Sequence, residues 1–227
     1  MQANLSIIIP SLNAGGALPA MLDTLLPGVA AGIVREVVLS DGNSADATLQ
    51  IADDAGCEIV TGAPGRGGQL ARGAHVARAE WLLFLHADTH LPTHWVGAVS
   101  QHIQSSEDAA VFQLSFRARG IMPGLVAGWA NLRTVWFGLP YGDQGLLISR
   151  ALYDQVGGFE PLPLMEDVAM ARRLRGRIKL LPEAVSTDAV RYQKSGWLRR
   201  GTRNLWTLAR YLGGADPTKL GRAYHKS

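Results

Sequence analysis

The sequence predicts an α/β fold, a single domain built on a mostly parallel sheet flanked by helices. Three observations lead there. In the first half, short β-rich runs alternate with helical apolar patterns, the mark of βαβ units. The run "EWLLFLHAD" is apolar almost throughout, as a central strand covered on both faces must be. The chain has 227 residues and no internal repeat, low-complexity tract or dividing linker, enough to bury one sizeable core without staples.

"LSIIIP" opens as the first strand, and "GGALPAMLDTLLPGVA" follows as a helix that Pro27 should end. "REVVLSDG" is the second strand. "NSADATLQIADDAG" reads as a helix with Asn43 or Ser44 as N-cap and Gly56 past its end. "CEIVTG" is the third strand, "GQLARGAHVARA" a helix, and "EWLLFLHAD" the fourth strand. Regularity then weakens. A helix is expected at "THWVGAVSQHIQ", a strand at "AAVFQLSF", and an aromatic, Gly-rich stretch without a predicted element from Gly120 to Gly142. "GLLIS", "RALYDQVG", "MEDVAMARRLRG" and "KLLPEAV" read as strand, helix, helix and strand. "GWLRRGTRNLWTLARYLGG" is a basic C-terminal helix. The acid-first, base-last order of "MEDVAMARRLRG" complements the helix dipole, so part of it serves stability.

Composition narrows the function classes. The single cysteine, Cys57, excludes an internal disulfide and a zinc cluster of thiolates and suits a reducing cytoplasm. Twenty-two Lys and Arg against 19 Asp and Glu give +3, a mild excess that invites anionic partners without naming one. The basic residues are dispersed, concentrating only in the C-terminal helix, which disfavours nucleic acid. The start, Met-Gln-Ala-Asn, runs straight into an apolar strand with no basic n-region or cleavage pattern, so no signal peptide is expected. The uncharged stretch from Gly120 to Leu132 is 13 residues long, short of the roughly 20 that span a bilayer.

In open α/β sheets, ligands sit beyond the carboxyl ends of the strands. There the sequence places Pro10 to Asn13, Asp41 to Ser44, a Gly-rich loop around Arg66, and His86-Ala87-Asp88. Side chains at i and i+2 of a strand share a face, so His86 and Asp88 are expected side by side, a grip for a metal or a phosphate.

The ordered motifs "SIIIPSLN", "VVLSDGNSADAT", "GRGGQLARGAHVARAEWLLFLHADT", "YGDQGLLISRALYDQVGGF" and "MEDVAMARRL" resemble the family 2 glycosyltransferases, inverting enzymes of the GT-A (Rossmann-like) fold that use nucleotide sugars. The likeness runs from about Leu5 to Leu174. Through "LFLHADT" and "GDQG" the chain is most similar to a short bacterial subgroup labelled arsenosugar- or selenium-associated glycosyltransferases.

The resemblance implies a site. It makes Asp88 the second acid of the family's Asp-X-Asp motif and hence a ligand of Mn²⁺ or Mg²⁺. His86 stands where the first acid is usual, as a ribose contact or a second metal ligand. It makes Asp41 the acid that hydrogen-bonds the base, normally the imide N–H of uracil, with Pro10 and Asn13 beside it. Arg66, among glycines that let backbone approach a phosphate, and Arg191 would face the diphosphate. Asp167 falls at the general base, Glu166 beside it at the acceptor, and Asp143 and Gln144 of "YGDQG" at the acceptor site. Ala14 and Ala71 depart from the family pattern, where an acid and an Asn are usual.

The implied reaction moves a sugar, expected from a UDP-sugar, to the hydroxyl of a small-molecule or lipid-linked acceptor. The implied organisation is a catalytic domain over 1–190, with a nucleotide-sugar half about 1–90 and an acceptor half about 91–190, followed by a basic helical segment over 191–227. That segment's Trp197, Leu198, Leu205, Leu208 and Leu212, with basic residues between, suit a helix packed on the sheet, a homodimer contact, or an interfacial helix. The expected location is cytoplasmic, at the inner membrane face in the last case. The competing function is a non-catalytic nucleotide-sugar-binding scaffold whose chemistry has decayed at His86 and Ala71. A sugar-phosphate nucleotidyltransferase would need Arg and Lys in the loop after the first strand, and "PSLNAGGALPAM" has neither.

Overall fold

The computed structural model describes residues 4–174 and 176–225. The chain runs β1 (Leu5–Ser11), α1 (Leu18–Asp23), α2 (Leu26–Ala30), β2 (Val34–Asp41), α3 (Thr48–Asp54), β3 (Glu58–Thr61), α4 (Arg66–Val76), β4 (Trp81–Phe84) and α5 (Trp95–Ser105). It continues with β5 (Ala109–Phe116), α6 (Ile121–Phe137), a 3-10 turn (Gly142–Gln144), β6 (Leu146–Ser149), α7 (Arg150–Gln155), α8 (Glu166–Leu174) and β7 (Ile178–Thr187). Three helices close it, α9 (Val190–Ser195), α10 (Trp197–Leu212) and α11 (Pro217–His225). The strands form one seven-stranded mixed sheet in the order β3-β2-β1-β4-β6-β5-β7.

Burial follows strand alternation. Ile7 and Ile9 of β1 enter one core with Leu39, Leu83 and Trp95, while Ile8 enters the other with Val38, Leu82, Phe84 and Met170. All three isoleucines are fully buried, and each contributes about 1.5–3 kcal/mol. Helix α4 lies close on β1, since a Cβ at Gly73 would come 2.5 Å from Ile8 Cγ2.

Four expectations need correction. Pro27 begins α2 rather than ending a longer helix, because its fixed φ and missing N–H suit a first turn. Helix α3 starts at Thr48, not after Asn43 or Ser44. Asn43 is left-handed (φ 68°), and the Ser44 N–H is drawn back to Asp41 Oδ2 at 2.7 Å. Strand β4 ends at Phe84, two residues before His86. The stretch from Gly120 to Gly142 holds a 17-residue helix, α6, stopped by Gly138 in the left-handed conformation.

Topology decides what meets at one edge. Strands β1 to β4 are mutually parallel and end together, whereas β6 is antiparallel to both β4 and β5. Leu146 pairs with Phe84, so the turn before β6 stands beside the loop after β4. Strand β7 runs parallel to β5, bringing Phe116 and Thr187 to the same edge. Helices α9 and α10 are fixed there by rings, with Tyr192 stacked on Trp197 at 4.9 Å and both edge-on to Phe116 at 5.2 Å.

Candidate active site

A turn, not strand alternation, brings His86 and Asp88 together. Thr89 donates its N–H to the His86 carbonyl at 3.0 Å, and His90 exchanges two backbone hydrogen bonds with Ser186 of β7. Arg117 clamps the same join, donating to the Asp88 carbonyl at 2.9 Å and to the Ser186 carbonyl. The 3-10 turn before β6 then supplies a third group. His86 Nδ1 lies 2.7 Å from Asp143 Oδ1, and one ligand atom each from His86, Asp88 and Asp143 falls within 4.8 Å of the others.

This donor set fits a divalent ion. Two carboxylates and an imidazole suit Mn²⁺ better than Mg²⁺, which prefers oxygen alone. Among the described residues no hydrogen-bond donor meets the Asp88 carboxylate, whose oxygens are left to a ligand.

Across the turn stands the start of α8. Met165, left-handed at φ 67°, turns the chain so that Glu166 and Asp167 open the helix toward the cavity. Asp167 Oδ2 accepts from the Gly142 N–H at 2.9 Å and Oδ1 from the Val168 N–H at 2.8 Å. Each oxygen keeps a lone pair. Glu166 is buried and meets Arg66 Nη1 at 3.4 Å. Burial first, then neighbouring Asp167, raises its pKa above the ordinary 4.5 against the opposing pull of Arg66. Desolvation disfavours the Arg66 charge, but Glu166, and after it Asp143, Asp167 and Asp88, more than offset it and raise its pKa. Arg66, Asp88, Asp143 and Asp167 line a cavity of about 130 Å³ together with Phe116, Arg133 and Tyr192.

Other expected residues take bracing positions. Asp41 is fully buried, and its Oδ1 accepts from the Ser11 and Ser44 hydroxyls while Oδ2 takes the Ser44 N–H. Asn13, left-handed at φ 50°, accepts the Ala45 N–H at Oδ1 and donates its own backbone N–H to Ser44 Oγ, which staples the loops after β1 and β2. Pro10 pairs in register with Ser40, half-buried at the end of β1. Gln144 is fully buried. Its Oε1 accepts from the Tyr141 N–H and the Thr134 hydroxyl, and its Nε2 donates to the Phe112 carbonyl, so it holds the turn and does not face a ligand. The Arg191 side chain lies outside the described residues. Burial pushes the Cys57 thiol up to about 11, leaving it inert at neutral pH.

Sequence reasoning missed several residues. Gln69, buried in α4, donates to the Ser11 and Ser40 carbonyls and so ties β1 to β2 where they end. Arg133 of α6 stands with its guanidinium 3.7 Å above the Tyr141 ring. Its signal was present, as the one charge between Arg119 and Asp143 in an otherwise uncharged stretch.

Comparison with known proteins places this geometry. The model of the family described as glycosyl transferase family 2 matches residues 6–128. A PGL/p-HBAD biosynthesis glycosyltransferase of Mycobacterium bovis (strain BCG / Pasteur 1173P2) is 39% identical over 93 residues, covering 38% of this chain and 36% of that protein. The H37Rv strain of Mycobacterium tuberculosis has a counterpart with the same figures. The match thus spans about a third of the length of these curated relatives. Among solved structures, glucosyl-3-phosphoglycerate synthase from M. tuberculosis in complex with Mn²⁺, UDP and glucosyl-3-phosphoglycerate superposes with a TM-score of 0.60 at 19% identity, over 82% of this chain and 70% of that one. S. aureus TarS 1-349 in complex with UDP-GlcNAc gives 0.62 at 19% identity, over 83% and 58%. At these identities the likeness speaks to the fold, which is GT-A-like.

Proposed function

The chain belongs to glycosyl transferase family 2, and from that premise we propose that it is an inverting, metal-assisted transferase that moves a sugar from a nucleoside diphosphate donor, a UDP-sugar in the first instance, to an acceptor hydroxyl. The observation that carries this is the convergence of His86, Asp88 and Asp143 within 4.8 Å of one another, Asp88 and Asp143 lining the cavity that Asp167 also lines.

Asp88, His86 and Asp143 would hold the divalent ion, which would supply neutralisation of the charge developing on the leaving diphosphate. Arg66 adds a fixed positive charge there. Asp167 takes the proton from the acceptor hydroxyl. The acceptor oxygen forms its bond to the anomeric carbon from the face opposite the diphosphate, whose bond breaks in the same displacement, so configuration inverts. Gly142 N–H and Val168 N–H donate to the Asp167 carboxylate and fix its orientation. At the nucleotide end, Asp41 is assigned the base contact through the lone pair its three donors leave. Because it is fully buried, that contact needs the Asn43–Ser44 turn to open. The strings "LFLHADT" and "GDQG" support the short bacterial subgroup named above.

The test is release of free nucleoside diphosphate from a panel of nucleotide sugars with Mn²⁺. Slow release without acceptor is expected, Asp88→Ala should abolish it, and Asp167→Asn should reduce transfer far more than nucleotide binding. Metal-dependent UDP binding without turnover under any acceptor would leave the scaffold reading standing instead.

A lipid surface is the second partner we propose. Helix α6 turns Ile121 (81% exposed), Leu125, Val135, Trp136 (67%) and Phe137 outward, and its neighbour α10 turns out Leu198 and Trp206 (67%). From Val190 to Ala215 there is no acidic residue, while Arg199 and Arg210 are exposed beside the apolar face. Apolar rings fringed by arginine match an anionic membrane interface. Among the described residues no helix is long and apolar enough to cross a membrane.

A further inference from the structure

Arg133 is the least conventional charge in the molecule. It sits in the middle of the sequence's longest apolar helix, yet its side chain turns inward and is only 4% exposed. Nε and Nη2 are buried with no hydrogen-bond partner, and no carboxylate among the described residues forms an ion pair with it. Among the described residues the Tyr141 ring meets the guanidinium, 3.7 Å from ring centroid to Cζ. A buried cation is ordinarily paired, because removing it from water is costly. An arginine kept buried and unpaired, on the wall of a cavity, is waiting for an anion.

Its position says which anion. The donor's diphosphate has its own proposed partners, Arg66 and the cluster of His86, Asp88 and Asp143. The cavity that Arg133 lines also carries the apolar side chains of Leu114, Phe116 and Val126 and the Tyr192 ring, with Arg200 and Asn204 of α10 among its polar lining. Asp167, the base assigned above, lines the same space. A molecule presenting its hydroxyl to Asp167 in this cavity therefore has Arg133 within the same space for a second, charged group.

We propose that Arg133 is the acceptor-recognition residue and that the acceptor carries an anionic group, a phosphate or a carboxylate, held by the guanidinium fork in an apolar, aromatic-walled subsite. This rests on the transferase reading and specifies the substrate class of that same site. The Tyr141 face holds the guanidinium flat, and the unsatisfied Nε and Nη2 are the donors that would meet two anion oxygens once the subsite opens to admit the ligand. A neutral acceptor would leave the buried charge uncompensated, so the subsite selects by charge before it selects by shape.

The experiment is isothermal titration of the full chain, first saturated with UDP and Mn²⁺ so that anions cannot settle at the diphosphate end. Phenyl phosphate, benzoate and neutral benzyl alcohol are the probes. Phenyl phosphate and benzoate separate the two anion sources, and one or both should bind at least about tenfold more tightly than benzyl alcohol. Arg133→Gln should lose at least about tenfold toward the bound anion and leave UDP affinity unchanged, while Arg133→Lys, keeping the charge without the fork, should fall between. Equal binding of charged and neutral probes would overturn the proposal, as would an unchanged anion affinity in Arg133→Gln, or a loss confined to UDP. Thermal unfolding guards against a structural role. Deleting an unpaired buried cation should raise Tm, and an Arg133→Gln chain that melts well below wild type would make the residue a structural one and end the proposal. Should wild type fail to bind UDP with Mn²⁺, the transferase reading fails, and titration without UDP still decides whether Arg133 holds an anion.

Discussion

Two adjacent glycines at the start of α4 should respond oppositely to the same added methyl. A Cβ at Gly67 would lie 2.2 Å from the Glu160 carbonyl oxygen and 2.9 Å and 3.0 Å from the Leu162 nitrogen and oxygen. All three are backbone atoms of a segment held by Pro161 and Pro163, so no side chain can swing aside. At Gly68 the nearest atom is Pro161 Cβ at 3.9 Å, an ordinary contact. Overpacking of this kind costs about 2–3 kcal/mol, whereas Gly→Ala at an unhindered helical position gains up to about 1 kcal/mol. For a chain of this size each kcal/mol moves Tm by roughly 2–4 °C. Gly67→Ala should therefore melt roughly 4–12 °C lower and Gly68→Ala up to about 4 °C higher, read by calorimetry. The crowded segment leads through Met165 into Glu166 and Asp167, and a displacement of about 1 Å at a reacting group costs on the order of 100-fold in rate. Gly67→Ala should lose transfer activity beyond what its unfolded fraction explains. If the two variants melt within a degree of each other, the close approach of α4 to that segment is wrong, and with it this account of how the base is placed.

Replacing the metal-end groups one at a time should grade Mn²⁺ affinity, with Asp88→Ala losing most and His86→Ala shifting preference toward Mg²⁺, measured by titration with each ion; equal losses for both ions would remove His86 from the ligand set. Glu166 should give stability a pH slope. Its folded pKa lies above 4.5, so as pH rises from there the folded chain retains a proton the unfolded chain has released, and stability falls through that window. Urea unfolding across the range should show that Glu166→Gln flattens the slope, and an unchanged slope would assign it elsewhere. The chain should float with anionic vesicles at low salt and less so at high salt, and Trp136→Ser with Trp206→Ser should weaken this; flotation with neither variant nor salt having any effect would remove the α6–α10 face as the contact.

The parallel half was legible because its signals are local. Strands β1 to β4 announce themselves by apolar runs, and the polar residues just beyond them sit at the edge where ligands gather. Helix α6 was not legible, since a helix apolar nearly all round has no periodic polar face to reveal it, and glycines at 120, 124 and 128 read as loop. The metal end was half legible. His86 and Asp88 could be paired by spacing, though for a reason that does not hold once β4 stops at Phe84. That Asp143, 57 residues from His86, joins them depends on β6 running antiparallel to β4, a long-range pairing that no local pattern encodes. Gln144 was expected at the acceptor because "GDQG" was read as a unit. The 3-10 turn splits it, sending Asp143 toward the cavity and Gln144 into the core.

Because β6 returns beside β4, everything between them is an excursion that leaves one side of the metal end and comes back to the other. Helix α5, β5 and α6 lie within it, and so do Phe116, Arg133 and the outward-facing Trp136. The spacing of Asp88 and Asp143 is set by the register of two neighbouring strands and not by the length of chain looped out between them. The excursion can be lengthened, shortened or recomposed while the donor end keeps its dimensions. In such an architecture what is given and what receives it are written in separable stretches of sequence, and the hydrogen bond from Gly142 to Asp167 is where the two accounts are made to agree.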